Sequence, residues 1–155
     1  MKKIKSENPT AAYTGYRCRH FKLYELLPKE LYIDEDMGWD LFDERILRTI
    51  DIIREIVGVK LICNNWYWKG KRNWSGARNK NSPDFRIGSC HSIREDRKVM
   101  ALDVISPAMS AAEMRRLIVQ RHTELPCPIR IEDGVSWLHV DVKEQVGYMV
   151  YFFKA

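Results

Sequence analysis

The sequence predicts an α+β fold: a single domain, over 1–155, whose mainly antiparallel sheet is packed by helices. Three observations carry this expectation. Apolar residues recur at helical spacing in one segment around residue 50 and in another after Ser110. Short β-like runs frame the second segment, and two of them flank Asp133-Gly134, a strong hairpin turn signal. Helix, strand, long loop, strand, helix, hairpin and strand therefore follow one another in the mixed order of an α+β domain.

In chain order, residues 1–12 are polar and expected to be loosely held. Phe21 to Leu27 reads as a short helix that stops before Pro28. The clearest helix spans Leu41 to Val57, where Phe42, Ile46, Ile50, Ile53 and Val57 form one apolar stripe. Asp40 is its expected N-cap, with Asp43 near the first turn, and Gly58 is a natural terminator. Val59 to Cys63 reads as a buried strand. Lys98 to Ile105 reads as a strand with Met100, Leu102 and Val104 on one face and Asp103 on the other. Ser110-Ala111-Ala112-Glu113 is a capping-box pattern opening a helix whose core side carries Met114, Leu117 and Ile118. Pro128 to Glu132 and Val135 to Val142 form the expected hairpin, and Gly147 to Phe153 a last strand.

At 155 residues the chain is of single-domain size and can bury a continuous core. Its 45% hydrophobic and 30% charged content is that of a globular protein, and no apolar run approaches bilayer length, which argues against a membrane span. Met1-Lys2-Lys3-Ile4-Lys5 has the charge of a signal peptide without its apolar stretch, so the chain reads as cytoplasmic where it is made. Cys18, Cys63, Cys90 and Cys127 form no CxxC pair, which argues against a zinc knuckle and a disulfide framework; they are expected reduced and mostly buried. A net charge of +5 points mildly to an anionic partner. Asp34-Glu35-Asp36 lacks the rest of a calcium loop and reads as a solvated turn.

Polar residues interrupt two of the strands. Val135, Trp137, His139 and Asp141 share one strand face, and His139 and Asp141 are costly to bury unless something satisfies them. Asp103 poses the same question in its own strand, and His91 lies just upstream. Convergence on an ion answers it economically. Two imidazoles and a carboxylate are the ligands of a catalytic zinc site with its fourth position open, and Glu132 or Asp133 is a spare acid nearby. Taken singly, a strand histidine is more often a hydrogen-bonded core residue, and a strand aspartate a partner of backbone or arginine. His20 and His122 are read in that plain way, His122 near a helix end that favours a cation.

Residues from about 40 to 145 resemble the zinc peptidase superfamily of D-Ala-D-Ala carboxypeptidases, phage L-alanyl-D-glutamate endopeptidases and the hedgehog signalling domain. Ser89-Cys90-His91 with Ala101-Leu102-Asp103 is similar to its Ser-x-His…Asp motif, and Trp137-Leu138-His139 to its Trp-x-His motif. Asn64-Asn65-Trp66-Tyr67-Trp68 and Ser75-Gly76-Ala77-Arg78 look like the substrate loop of phage and prophage members. The resemblance implies a hedgehog-like fold, zinc held by His91, Asp103 and His139, and hydrolysis of peptidoglycan stem peptides. It further implies Arg78 as the binder of a substrate carboxylate, with Ser89 and Trp137 at the substrate. Release to the cell wall would then follow a phage-mediated route.

Two departures stand out. Asp103 follows His91 by twelve positions, farther than the family places it, so the charged run 92–99 reads as an insertion able to reshape the mouth of the site. The position three before His139, where a close-spaced general base belongs, is Ser136. Glu132 is the preferred base and Asp133 the alternative. In a tight two-residue hairpin Glu132 would lie opposite Val135, roughly 13 Å along the strand from His139 and out of reach, so it needs a wider loop. Asp141 is read as structural or as the carboxylate that orients His139.

Two other functions compete with the peptidase. The same fold could serve as a catalytically inactive binding or structural module. Trp66, Tyr67, Trp68 and Trp74 interleave with Lys69, Lys71, Arg72 and Arg78, the chemistry of a single-strand nucleic-acid groove and equally of a glycan or peptide cleft; nucleic acid is the weaker reading.

Overall fold

Phe42 is extended and bridges Val99, and the Asp43 N–H donates to the Val99 carbonyl at 2.9 Å, so the chain turns helical only beyond that point. In this computed structural model, which describes residues 15–155, α1 accordingly runs Glu44–Val57. Asp43 is its N-cap, accepting from the Arg45 N–H at 2.9 Å, while the expected cap Asp40 lies in a 3-10 turn over Trp39–Leu41. Gly58 closes the helix with φ 69°, a left-handed conformation that favours glycine. The segment 1–12, expected to be loosely held, lies outside the described residues.

The second helix, α2, runs Ala111–Gln120 from its Ser110 cap, whose hydroxyl accepts from the Glu113 N–H at 3.2 Å. Only that half of the capping box forms, because the Glu113 carboxylate pairs forward with Arg116 at 2.6 Å. The helix expected over Phe21 to Leu27 contracts to a 3-10 turn at Leu23–Glu25. Glu35 holds that turn, accepting from the backbone of Leu23 at 2.9 Å, so Asp34-Glu35-Asp36 does more than form a solvated turn.

Four short strands make one mixed sheet: β1 Ala101–Val104, β2 Ile129–Glu132, β3 Leu138–Asp141 and β4 Val150–Phe153, in the order β1-β3-β2-β4. β1–β3 and β2–β3 are antiparallel, but β2–β4 is parallel, against the expectation of an antiparallel C-terminal end. With β1 on the outer edge of β3, the last strand can join only beyond β2, and its reversal relative to β3 makes it parallel there. Val59 to Cys63 forms no strand. Ile62 alone bridges Ile105, and the Asn64 N–H then turns away to the Glu25 carbonyl.

The register sorts the sheet into two faces. Leu102, Val104, Leu138, Val140, Ile129 and Ile131 are buried on the side covered by α1 and α2, where Ile46, Ile50, Ile53, Met114 and Ile118 complete the core. The opposite face carries Asp103 level with His139, and Arg130 level with Asp141. Glu132, the next residue of β2 on that face, lines the same cleft as His139. Among the described residues, no helix is long and apolar enough to cross a membrane.

Candidate metal centre

Asp103 and His139 stand directly opposite one another on β1 and β3, which brings their side chains together on the polar face. His91 comes from the preceding loop. Its main chain is set by Arg78, whose N–H donates to the His91 carbonyl at 2.9 Å, and by the Ser89 hydroxyl, which accepts from the His91 N–H at 3.2 Å. The three side chains meet with His91 Nε2 3.3 Å from His139 Nδ1 and 3.2 Å from Asp103 Oδ1, and with His139 Nδ1 2.8 Å from that same oxygen. All three residues are buried, and together they could hold a metal ion.

The donor set fits a tetrahedral ion. Ligand atoms about 2.0–2.1 Å from zinc lie about 3.3 Å from each other. Two of the three separations match this, and the third needs only a slight opening. The remaining ring nitrogens are also occupied as metal-binding histidines require. His91 Nδ1 bonds the Gly76 carbonyl at 2.9 Å, and His139 Nε2 bonds Asp141 Oδ2 at 2.9 Å. Asp103 is committed on one side, its Oδ2 accepting from Arg78 Nη2 at 3.1 Å, which leaves Oδ1 as the single oxygen facing the histidines.

Electrostatics follow from this geometry. Burial alone would raise the Asp103 pKa, but hydrogen bonds from His139 and His91 hold it well below the usual carboxylate range. Burial alone would lower His139, yet bonds to Asp103 and Asp141 push it up to about 9. The sign is that of a histidine gaining partners. Without metal, this proton contributes stability in full below the unfolded value of about 6.5, and the contribution is lost as pH rises through about 9. A metal taking Nδ1 must expel that proton. Zinc added to chelator-treated protein near pH 7.5 is therefore expected to release about one proton per ion from His139, falling away above pH 9. Calorimetry in buffers of different ionisation heat reads this directly, and uptake without proton release would contradict it.

Gly76 ties the His91 loop to the core. A Cβ there would lie 2.0 Å from the Leu26 carbonyl oxygen, which also receives the Ala77 N–H. Gly76→Ala is expected to cost on the order of 3 kcal/mol and lower the melting temperature by about 10 °C. Gly88→Ala, whose added carbon meets nothing within 4 Å, is expected to melt like the parent. Equal melting of the two variants would remove the packing argument.

The cluster opens into a cleft of about 320 Å³ lined by Arg78, Ser89, Glu132, Trp137 and Phe153, among others. A second cleft of about 480 Å³ carries Lys71, Arg72 and Trp74 and shares Arg78, Asp103 and Trp137 with the first. Both volumes suit a small ligand. Glu132 thus faces the site, whereas Asp133 is exposed and accepts its own turn's Gly134 N–H at 2.9 Å. The hairpin is wider than two residues, and Arg115 pins its loop by donating to the carbonyls of Val135 and Trp137 at 2.6 and 2.8 Å.

Other expected site features separate in space. None of the residues 92–99 lines the metal cleft; the charged run packs beside Asp40 and Leu41. Trp66, Tyr67 and Trp68 join Tyr24 and Tyr32 in an aromatic cluster, with Tyr24 and Tyr67 stacked at 3.9 Å, and of the four interleaved aromatics only Trp74 lines the cleft beside the site, with Lys71, Arg72 and Arg78. Arg130 and Arg115 escape a sequence reading, as does the part Gly76 plays in packing against Leu26 and bonding His91. Arg130 alternates with buried Ile129 and Ile131 as a solvent-facing strand residue would, and only the register reveals Asp141 opposite it. No protein-family model, no curated protein and no solved structure matches the chain.

Proposed function

We propose that the chain is a zinc-dependent peptidase acting on peptidoglycan stem peptides, of the D-Ala-D-Ala carboxypeptidase or L-alanyl-D-glutamate endopeptidase type. The observation that carries this reading is the meeting of His91 Nε2, His139 Nδ1 and Asp103 Oδ1 at the floor of an open cleft that Glu132 also lines. Zinc at such a site supplies Lewis acidity towards a peptide carbonyl and acidifies a water molecule.

The chain's own groups do the rest. Glu132 accepts the water's proton and passes it to the leaving nitrogen. Asp103, held by Arg78 through its second oxygen, presents one oxygen and leaves a position free for the reacting groups. Arg78 spends Nε on the Trp74 carbonyl and one Nη2 bond on Asp103, and keeps its other N–H groups for a substrate carboxylate. Ser89 and Trp137 flank the bound peptide, and Lys71 and Arg72 in the adjoining cleft favour an anionic wall polymer.

The test has two stages. Protein purified without chelator or histidine tag should carry about one zinc per chain, and should then release peptides or terminal D-alanine from purified peptidoglycan. Zinc without any hydrolysis would favour an inactive binding module on the same fold. No zinc, and none taken up on titration, would end the peptidase reading.

A further inference from the structure

Arg130 lies outside the His91, Asp103 and His139 cluster but is linked to it through Asp141. Arg130 faces Asp141 in register, and its Nε and Nη2 donate to Asp141 Oδ1 and Oδ2 at 2.8 and 2.9 Å. Oδ2 also accepts from His139 Nε2 at 2.9 Å, and Oδ1 from the Lys143 N–H at 3.1 Å. Asp141 is fully buried, so these bonds leave its carboxylate no room to rotate. A carboxylate so fixed holds the proton on His139 Nε2, so that Nδ1, which faces His91 and Asp103, is the nitrogen left to an ion once it gives up its own proton. Phe153 closes the arrangement. Its ring lies 4.4 Å from the Arg130 guanidinium carbon and stands edge-on to His139 at 5.6 Å and 83°.

We propose that Arg130 is the positioning residue of the metal centre, a role that rests on the metal reading of His91, Asp103 and His139. Acting through Asp141, it fixes the imidazole plane of His139 and thereby sets metal affinity and coordination geometry without touching the ion. The plain alternative is an ion pair that only ties β2 to β3. Those strands already share a backbone ladder and an apolar face, and a buried ion pair is weak support for stability. What Arg130 adds is a planar fork that saturates both Asp141 oxygens at once, which a lysine cannot do.

Zinc and cobalt titrations of the chelator-treated full chain separate the two roles. Zinc affinity is read by competition with a chelating dye, and geometry from the visible absorption of bound cobalt. Arg130→Met is expected to weaken zinc binding about 10–100-fold and to alter the cobalt spectrum, with Arg130→Lys recovering part of the loss. Asp141→Asn should weaken binding similarly, and the double variant should bind no worse than Asp141→Asn alone, because Arg130 works through Asp141. Parental affinity and spectrum in Arg130→Met would overturn the proposal, as would additive losses in the double variant. If Arg130→Met does not fold, Arg130→Lys and Phe153→Leu carry the test: each is expected to lose several-fold in zinc affinity, and parental affinity in both overturns it. A parent chain that binds neither ion would instead overturn the metal reading and this role with it, so the two failures are distinct.

Discussion

His139→Ala is expected to take zinc from about one ion per chain to a trace, and His91→Ala to do the same. Zinc sites with four protein ligands bind with about 10–16 kcal/mol, so each ligand carries on the order of 3 kcal/mol, or roughly two orders of magnitude in affinity. The loss should be larger here because only three side chains share the work, and the removed nitrogen lies within 3.3 Å of the other two donors. The fold should survive. Asp103 keeps its Arg78 partner and Asp141 keeps Arg130, so neither buried carboxylate is left alone when His139 is removed. Metal analysis after gel filtration, beside a circular dichroism spectrum, checks both points. Full stoichiometric zinc in both alanine variants would mean that the ion sits elsewhere.

The His91, Asp103 and His139 cluster, which could hold a metal ion, was legible in the sequence because two of its members break patterns that physical chemistry makes strict. A buried strand has no cheap use for His139, Asp141 or Asp103, and the two interrupted strands prove to be neighbours with Asp103 opposite His139. The helices were legible for a similar reason: the stripe of Ile46, Ile50 and Ile53 with Gly58 behind it, and Ser110 ahead of Met114 and Ile118, leave little choice of face or end. Long-range pairing was not legible. Phe42 bridges Val99 far along the chain, and that contact delays α1 past the expected cap Asp40. The parallel β4 depends on β1 already occupying the far side of β3, and the wide hairpin depends on Arg115 of α2 holding its loop. Gly76 stands out in the sequence only as part of Ser75-Gly76-Ala77-Arg78, and its packing role could not be read there because it lies in the distant Leu26 carbonyl that packs against it.

The wide hairpin bears on catalysis as well as on topology. A tight turn would strand Glu132 roughly 13 Å from His139 along the sheet. In the register observed, Arg130 meets Asp141 and Ile131 meets Val140, so Glu132 follows on the same face as Arg130, at the end of the ladder towards His139. It lines the same cleft as His91, Asp103 and His139. Glu132→Gln, which keeps shape and removes the base, is expected to retain zinc and lower peptidoglycan hydrolysis by about 10²–10⁴-fold. Asp133→Asn should leave hydrolysis intact, because Asp133 is exposed and accepts its own turn's backbone N–H. The rate of amino-group release from purified peptidoglycan, compared at equal zinc content, distinguishes the two carboxylates. An unimpaired Glu132→Gln beside a crippled Asp133→Asn would move the proton transfer into the turn. Loss of zinc from Glu132→Gln would make Glu132 part of the metal's support, and the base would have to be sought elsewhere in the cleft.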